Sequence, residues 1–212
     1  MDTIGTDGRY TIDTPEALAA IYREPAPAVI AKVTDRVTPP GRAFIAASPF
    51  LILATASERG IDCSPKGDAP GFVQVADERT LLIPDRPGNN RIDGMKNLLA
   101  SPKVGIIFMV PGADVTYRVN GTARISVDPA LLERCAANGK KPRAVLVVTV
   151  EEAFSHCPKA FVRARLWARG AEGPPAEAPT HGDFAAHRDG GDAAYAAQYD
   201  KDYAKRMPGQ LY

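Results

Sequence analysis

Phe50-Leu51-Ile52-Leu53-Ala54-Thr55-Ala56-Ser57-Glu58-Arg59-Gly60-Ile61-Asp62-Cys63-Ser64 is the stretch that decides the fold. Two β-prone runs, Phe50 to Thr55 and Asp62 to Ser64, flank Glu58-Arg59-Gly60, which reads as a hairpin turn. Strands joined this tightly are antiparallel, because a parallel crossover needs about a dozen residues or more. Working outward, Asp77-Glu78-Arg79 joins Phe72 to Val75 and Thr80 to Ile83 in the same way, and Val104 to Val110, Val115 to Ile125 and Arg143 to Phe154 complete the strand pattern. Pro111-Gly112 and Asn138-Gly139 mark the later turns. One helix is expected between the fourth and fifth strands and a short one near Leu131. The expected fold is therefore mainly β with peripheral helices (α+β), a mostly antiparallel barrel with helices at its ends.

Val115 to Ile125 alternates cleanly. Val115, Tyr117, Val119, Ala123 and Ile125 point one way, and Thr116, Arg118, Asn120, Thr122 and Arg124 the other. The polar row either faces water or meets a second subunit.

The residues with chemical character cluster just past the opening hairpin, in Ser64-Pro65-Lys66-Gly67-Asp68 and Pro84-Asp85-Arg86-Pro87-Gly88-Asn89-Asn90-Arg91. Ile92, Met95, Leu98 and Leu99 give the following helix one apolar face, Asn89 or Asn90 is expected to cap it, and Ser101-Pro102 stops it. Arg91 then falls in the first turn, where the helix dipole disfavours a cation, and a bound anion resolves the conflict. Lys66 adds a second cation, Pro65 fixes one torsion, and Gly67 lets the backbone approach a ligand closely. The Gly-x-x-x-x-Gly-Lys-Ser/Thr spacing of a P-loop is absent. The plainer reading is a solvated arginine beside an ordinary turn. Near the end of the strand region, Pro158 is placed to open a helix on which Lys159, Arg163 and Trp167 share one stripe. Two like charges on a stripe oppose the helix slightly, and an anionic or aromatic ligand offsets that; alternatively the stripe is surface and Trp167 packs on the core.

Composition limits the classes of partner. In 212 residues, enough for one domain with a core, 26 Lys and Arg balance 25 Asp and Glu, so net charge signals neither nucleic acid nor membrane, and a small-molecule substrate is expected. Cys63, Cys135 and Cys157 are odd in number and widely spaced, which argues against a disulfide framework. His156 beside Cys157 has no further ligand to make a metal site. No basic-then-apolar leader and no apolar run of roughly 20 residues is present, so a cytoplasmic location is expected.

Three regions are expected: an arm and short helices over 1–41, a barrel domain over 42–168, and a linker with a tail helix over 169–212. Thr14-Pro15-Glu16 opens the first short helix, Ala28 to Val37 can form a second, and Pro39-Pro40-Gly41 breaks the chain before Arg42 to Ala47. In the tail, Tyr195, Tyr199 and Tyr203 form an aromatic row that a docked helix would bury.

From about Arg42 to Trp167 the chain resembles the pyridoxamine 5'-phosphate oxidase-related, FMN-binding split β-barrel proteins. Ser48-Pro49-Phe50-Leu51, Ala69-Pro70-Gly71-Phe72, Arg118-Val119-Asn120-Gly121 and His156-Cys157-Pro158-Lys159-Ala160, with the two motifs above, carry the likeness to an uncharacterised bacterial branch. The resemblance implies a homodimer with FMN at the subunit interface. It implies that Lys66, Asn90 and Arg91 hold the phosphate, that Asn89 beside them is also cofactor-binding, and that Ser64, Pro65 and Gly67 line the isoalloxazine edge. Lys159, Arg163 and Trp167 would approach from the C-terminal element, and Arg118 and Asn120 across the dimer. The vitamin B6 oxidase itself has Arg-x-x-Leu-Leu-Lys where this chain has Ser-Pro-Lys-Gly-Asp, so no residues can be assigned to pyridoxamine phosphate. The function implied is a flavin-dependent oxidoreductase acting on a small substrate; the alternative is a non-catalytic protein that stores or senses FMN, a deazaflavin or haem. No catalytic side chain stands out; His156 is the first candidate by chemistry.

Overall fold

The computed structural model describes residues 8, 10–175 and 177–212. Residues 1–7 and 9, most of the expected loose arm, lie outside the described residues. The chain divides into two units, Met1–Val33 and Thr34–Tyr212. The first holds α1 (Pro15–Ala19) and α2 (Pro27–Ala31), neither with a buried residue. Thr14 caps α1 as expected, accepting from the Ala17 amide at 3.2 Å. The second helix is shorter than its apolar run suggested, ending at Ala31 rather than Val37.

The second unit opens with α3 (Pro39–Ala47), where Pro39 and Pro40 start the helix instead of breaking the chain. Thr38 accepts from the Gly41 amide at 3.3 Å, and the prolines occupy the first helical positions, whose amides would have had no partner anyway. Then come β1 (Phe50–Ser57), β2 (Gly60–Gly67), β3 (Gln74–Val75), β4 (Thr80–Pro84), α4 (Asp93–Ala100), β5 (Lys103–Met109), β6 (Thr116–Ser126), α5 (Pro129–Arg134) and β7 (Val145–His156). Every strand pairing is antiparallel, in the order β2-β1-β5-β6-β7-β4-β3, and the fold is an antiparallel split β-barrel with peripheral helices.

Register explains the core. Leu53 lies opposite Ile106, which lies opposite Val119, and one step along Leu51, Phe108 and Tyr117 repeat the pattern. On the far side Val148 meets Leu81 and Leu146 meets Ile83. These side chains are buried and form one cluster, into which α3 inserts Ile45 and α4 inserts Leu98. Removing such surface from water is the main stabilising term. A Cβ on Gly41 would lie 2.3 Å from the Tyr117 hydroxyl, so only glycine lets α3 come this close to β6.

β4 is apolar on both faces because its outer face is covered as well. Leu82 and Val145 pack with Cys135 and the half-buried Leu131 and Leu132 of α5. Burial pushes the Cys135 thiol above its ordinary value, and all three cysteines are free. Between Asn120 and Gly121 the β6–β7 register slips: Asn120 faces Glu152 but Gly121 faces Val150, leaving Glu151 as the extra residue of a bulge.

α4 is held over the β1–β2 hairpin by one buried amide. Asn97 accepts from the Ser57 hydroxyl at 2.7 Å and donates to the Thr55 hydroxyl at 3.3 Å and the Gly60 carbonyl at 3.2 Å. This fixes where the loop before α4 meets β2.

After β7 the expected single helix is two, α6 (Lys159–Ala164) and α7 (Leu166–Glu172), divided at Arg165, whose φ is +48°. The stretch read as a linker from residue 169 is therefore helical to Glu172. The tail is also two helices, α8 (His181–Asp189) and α9 (Ala193–Arg206), followed by a 3-10 turn, Met207–Gln210. Thr180 and Asp183 form a reciprocal capping box that starts α8. Tyr195, Tyr199 and Tyr203 stack along α9 with neighbouring centroids 6.4 Å apart, and His181 meets the latter two rings edge-on. The row packs mainly on its own hairpin, and Tyr195 stays 40% exposed. Among the described residues no helix is long and apolar enough to cross a membrane.

Candidate functional site

β2 is one of the two edge strands of the sheet, and its two faces do different things. Lys66 and Ser64 lie opposite Leu51 and Leu53 and so share the inner face, toward α4. Pro65 lies opposite Ile52 on the outer face.

On the inner face Lys66 Nζ donates to Asp85 at 3.1 Å, with 26% and 17% of the two side chains exposed. Ser64 donates to Asp62 at 2.8 Å, and a Cβ on Gly94 would lie 2.8 Å from the same carboxylate, so the first turn of α4 rests on this face. The loop before α4 differs from the expected cap. Asn89 accepts from the Arg91 amide at 3.0 Å, Asn90 and Ile92 take left-handed φ values of +60° and +50°, and the helix begins only at Asp93. Arg91 therefore stands outside the helix and donates to Asp93 at 2.8 Å, which raises its already high pKa; its side chain is 77% exposed. The conflict with the helix dipole is relieved by Asp93, an acid in the first turn. Asn90 accepts from Arg143 at 2.7 Å, which adds a third cation to this edge. Arg143 lies just before β7, a position whose role only the fold reveals.

On the outer face the register lines up one row across five strands: Pro65, Ile52, Ile107, Arg118 and Phe154. The next row is Cys63, Ala54, Gly105, Asn120 and Glu152. Arg118 donates to Asn120 at 3.1 Å and lies 5.7 Å from the Phe154 ring, and Asn120 donates to Glu152 at 2.9 Å. With strands about 4.8 Å apart, Pro65 and Arg118 stand on one wall at roughly 14 Å. Most of that wall is small or apolar and half-buried.

Lys159, Arg163 and Trp167 do not share a stripe, because the chain turns at Arg165 between them. Lys159 and Arg163 are exposed on α6. Trp167 donates to the Ala113 carbonyl at 2.8 Å and packs on Phe161, which anchors α7 on the β5–β6 turn. Gly67 ends β2 on the outer side, exposed.

Beside Lys66–Asp85 lies a second pair that residue spacing alone did not single out. Arg86 donates to Asp68 at 2.6 Å, with only 14% and 3% of the side chains exposed. Burial alone would raise the Asp68 pKa, but hydrogen bonds from Tyr212, the Ala69 amide and Arg86 outweigh it and hold the carboxyl below its ordinary value. A carboxyl lowered on folding contributes stability above its unfolded pKa and loses it as pH falls through the folded value. The Tyr212 contact should therefore persist at neutral pH and release only in acid below the ordinary carboxylate range, read as faster proteolysis of the tail there. Protection that does not change as the carboxylates titrate in acid would contradict this.

A family model described as pyridoxamine 5'-phosphate oxidase matches residues 37–157, more than half of the chain, and the protein belongs to that family. No curated protein matches. Among solved structures the chain is similar to HupZ of Group A Streptococcus, with 21% identity over 56% of this chain and 93% of that one at a TM-score of 0.46. It is also similar to an FMN-binding protein of Syntrophomonas wolfei, with 13% identity over 55% and 83% of the two chains at a TM-score of 0.43. A third similar structure is a Clostridium acetobutylicum protein related to general stress protein 26, with 15% identity over 54% and 83% at a TM-score of 0.41.

Proposed function

We propose that the protein binds FMN as a homodimer, with the flavin at the subunit interface, and exchanges hydride or electrons with a small substrate. The carrying observation is the two-sidedness of β2: one edge strand offers Lys66, paired with Asp85 whose amide bonds the carbonyl of Ala144 next to Arg143, and, on its reverse, the apolar row that runs to Arg118. A doubly charged phosphate calls for cations and amide donors, and a flavin ring calls for a flat apolar wall. The donors fit in kind. Lys66, Arg91 and Arg143 are the cations that would meet the phosphate, with Asn89 and Asn90 as amide donors, while Asp85 and Asp93 hold Lys66 and Arg91 in place. The wall of Pro65, Ile52 and Ile107 would support the ring, and Arg118 would stabilise negative charge on it. When bound, FMN supplies the two-electron chemistry; the chain positions it and excludes water. Arg118 and Asn120 on the barrel wall and the cations Lys159 and Arg163 on α6 would complete the site across the dimer.

Purified protein should be yellow, release FMN on denaturation and run as a dimer in light scattering. A colourless protein that takes up no added FMN would overturn the reading. Reduction by a nicotinamide cofactor followed by reoxidation supports the oxidoreductase; tight binding without turnover supports storage or sensing. Arg91→Ala should weaken FMN binding only about tenfold, the low end for a charge-assisted contact, because the group is exposed and already paired with Asp93. Unchanged affinity removes Arg91 from the site.

A further inference from the structure

The barrel holds a tyrosine of its own tail against a cluster of charged groups. The Asp68 side chain is 3% exposed, and its carboxylate is met by Arg86 at 2.6 Å on one oxygen and by the Ala69 amide at 2.7 Å on the other. The Tyr212 hydroxyl donates to that second oxygen. The Arg86 guanidinium carbon lies 5.8 Å from the centroid of the Tyr212 ring, within reach of a cation–π contact. Lys140 donates to the Tyr212 main-chain oxygen at 2.8 Å. Three features are thus read together: a hydroxyl donor, an aromatic ring and an acceptor at the far end.

The three protein groups stand without the tail. Asp68 follows β2, Arg86 follows β4, and Lys140 closes the Asn138-Gly139 turn, whose φ values of +50° and +72° fix it. Asp68 and Arg86 already satisfy each other, so the ion pair does not need Tyr212. The tail, by contrast, is lightly held here: the turn Met207–Gln210 has no buried residue, and Leu211 is 51% exposed. A cluster that is fixed and whose occupant is loosely tethered is one from which that occupant can be exchanged.

We propose that Asp68, Arg86 and Lys140 form a binding site for a small phenol carrying an anionic or hydrogen-bond-accepting group at its far end, and that Tyr212 fills this site as a displaceable latch. The carboxylate selects for a hydroxyl: a ring without one forfeits the hydrogen bond to the oxygen that otherwise keeps only the Ala69 amide, and a second carboxylate in its place is repelled. Lys140 selects for the far group. Asp68 and Arg86 neighbour Lys66 and Asp85 in sequence and on the same sheet edge, so a ligand seated here lies beside the candidate phosphate site. The inference does not depend on flavin.

The test uses full-length protein and 4-hydroxyphenylacetate, titrated by calorimetry, with phenylacetate as the analogue lacking the hydroxyl. Tyr212→Ala should bind 4-hydroxyphenylacetate at least tenfold tighter than the unaltered chain does, and at least tenfold tighter than it binds phenylacetate. Tyr212→Phe, which keeps the ring and loses only the hydroxyl bond, should fall between. Adding Lys140→Ala to Tyr212→Ala should weaken the phenol severalfold. Equal binding of the two probes, or no gain on removing Tyr212, overturns the proposal. Running each titration with and without FMN separates this result from the flavin reading, since a protein that takes up no flavin should still discriminate the two acids.

Discussion

Lys66→Ala protein should emerge from purification without flavin. Lys66 is the one proposed phosphate contact whose side chain is mostly buried, at 26% exposed, so its charge is less screened than that of Arg91 at 77%. Losing a charge-assisted contact in that setting costs about 3 kcal/mol, or on the order of a hundredfold in Kd. The substitution has a second effect, because Asp85 loses the partner that neutralises it at 3.1 Å. Lys66→Gln separates the two. The amide can still donate to Asp85, so thermal stability should return nearly to that of the unaltered protein, whereas flavin retention should not. Flavin absorbance per chain and the unfolding midpoint, measured on the same samples, check both halves. A yellow Lys66→Ala protein with normal affinity would place the phosphate elsewhere.

The strands were legible because their signals are local. Alternation in Val115–Ile125 and the tight turn at Glu58-Arg59-Gly60 depend on residues within a few positions, and the seven strands with their antiparallel pairing follow. The helix boundaries near the site were not. Pro39-Pro40 signals an interruption and a first turn equally well, and the side chain of Thr38 decided it. Asn89 and Asn90 were readable as loop residues of special conformation, but which of them would cap, and that Asp93 instead would begin the helix, depended on how α4 rests on Asp62 and Ser64. The break at Arg165 is a left-handed residue without a glycine to announce it.

The candidate site shows the same division. Lys66 and the pair Asn90–Arg91 were singled out in two separate segments, and their immediate partners are Asp85 for Lys66, Arg143 for Asn90 and Asp93 for Arg91. Arg143 and the pair Asp68–Arg86 came together only through the pairing of distant strands. Tyr212, 144 positions from Asp68, had no signal at all beyond being an aromatic residue in a polar tail. Capping boxes such as Thr180–Asp183 were present in the sequence and would have revealed the second tail helix.

Gly121→Ala should be the most damaging single-methyl change in the barrel. The new Cβ would lie 2.0 Å from the Thr149 carbonyl oxygen and 3.2 Å from the Glu151 amide nitrogen, both backbone atoms of β7 that no side-chain rotation can clear. Gly121 sits where the register slips and Glu151 is extruded, the bulge at which β7 bends against β6. Forcing the strands apart there disrupts Val119 and Ala123, buried on either side of it, so the cost should reach about 3 kcal/mol, the upper part of the range for overpacking. For a chain of this size that lowers the unfolding midpoint by about 10 °C. The effect should also reach the outer wall, because Asn120 precedes the bulge and orients Arg118 at 3.1 Å. FMN affinity should fall at temperatures where the variant is still folded, whereas Gly112→Ala, in an open turn with φ of +83° and no neighbouring atom within 4 Å of its Cβ, should cost stability through backbone strain alone and leave FMN affinity unchanged. Thermal unfolding and flavin titration of the two variants side by side decide it: equal midpoints would mean that β7 yields at the bulge and that the close approach at Gly121 is not what closes the barrel.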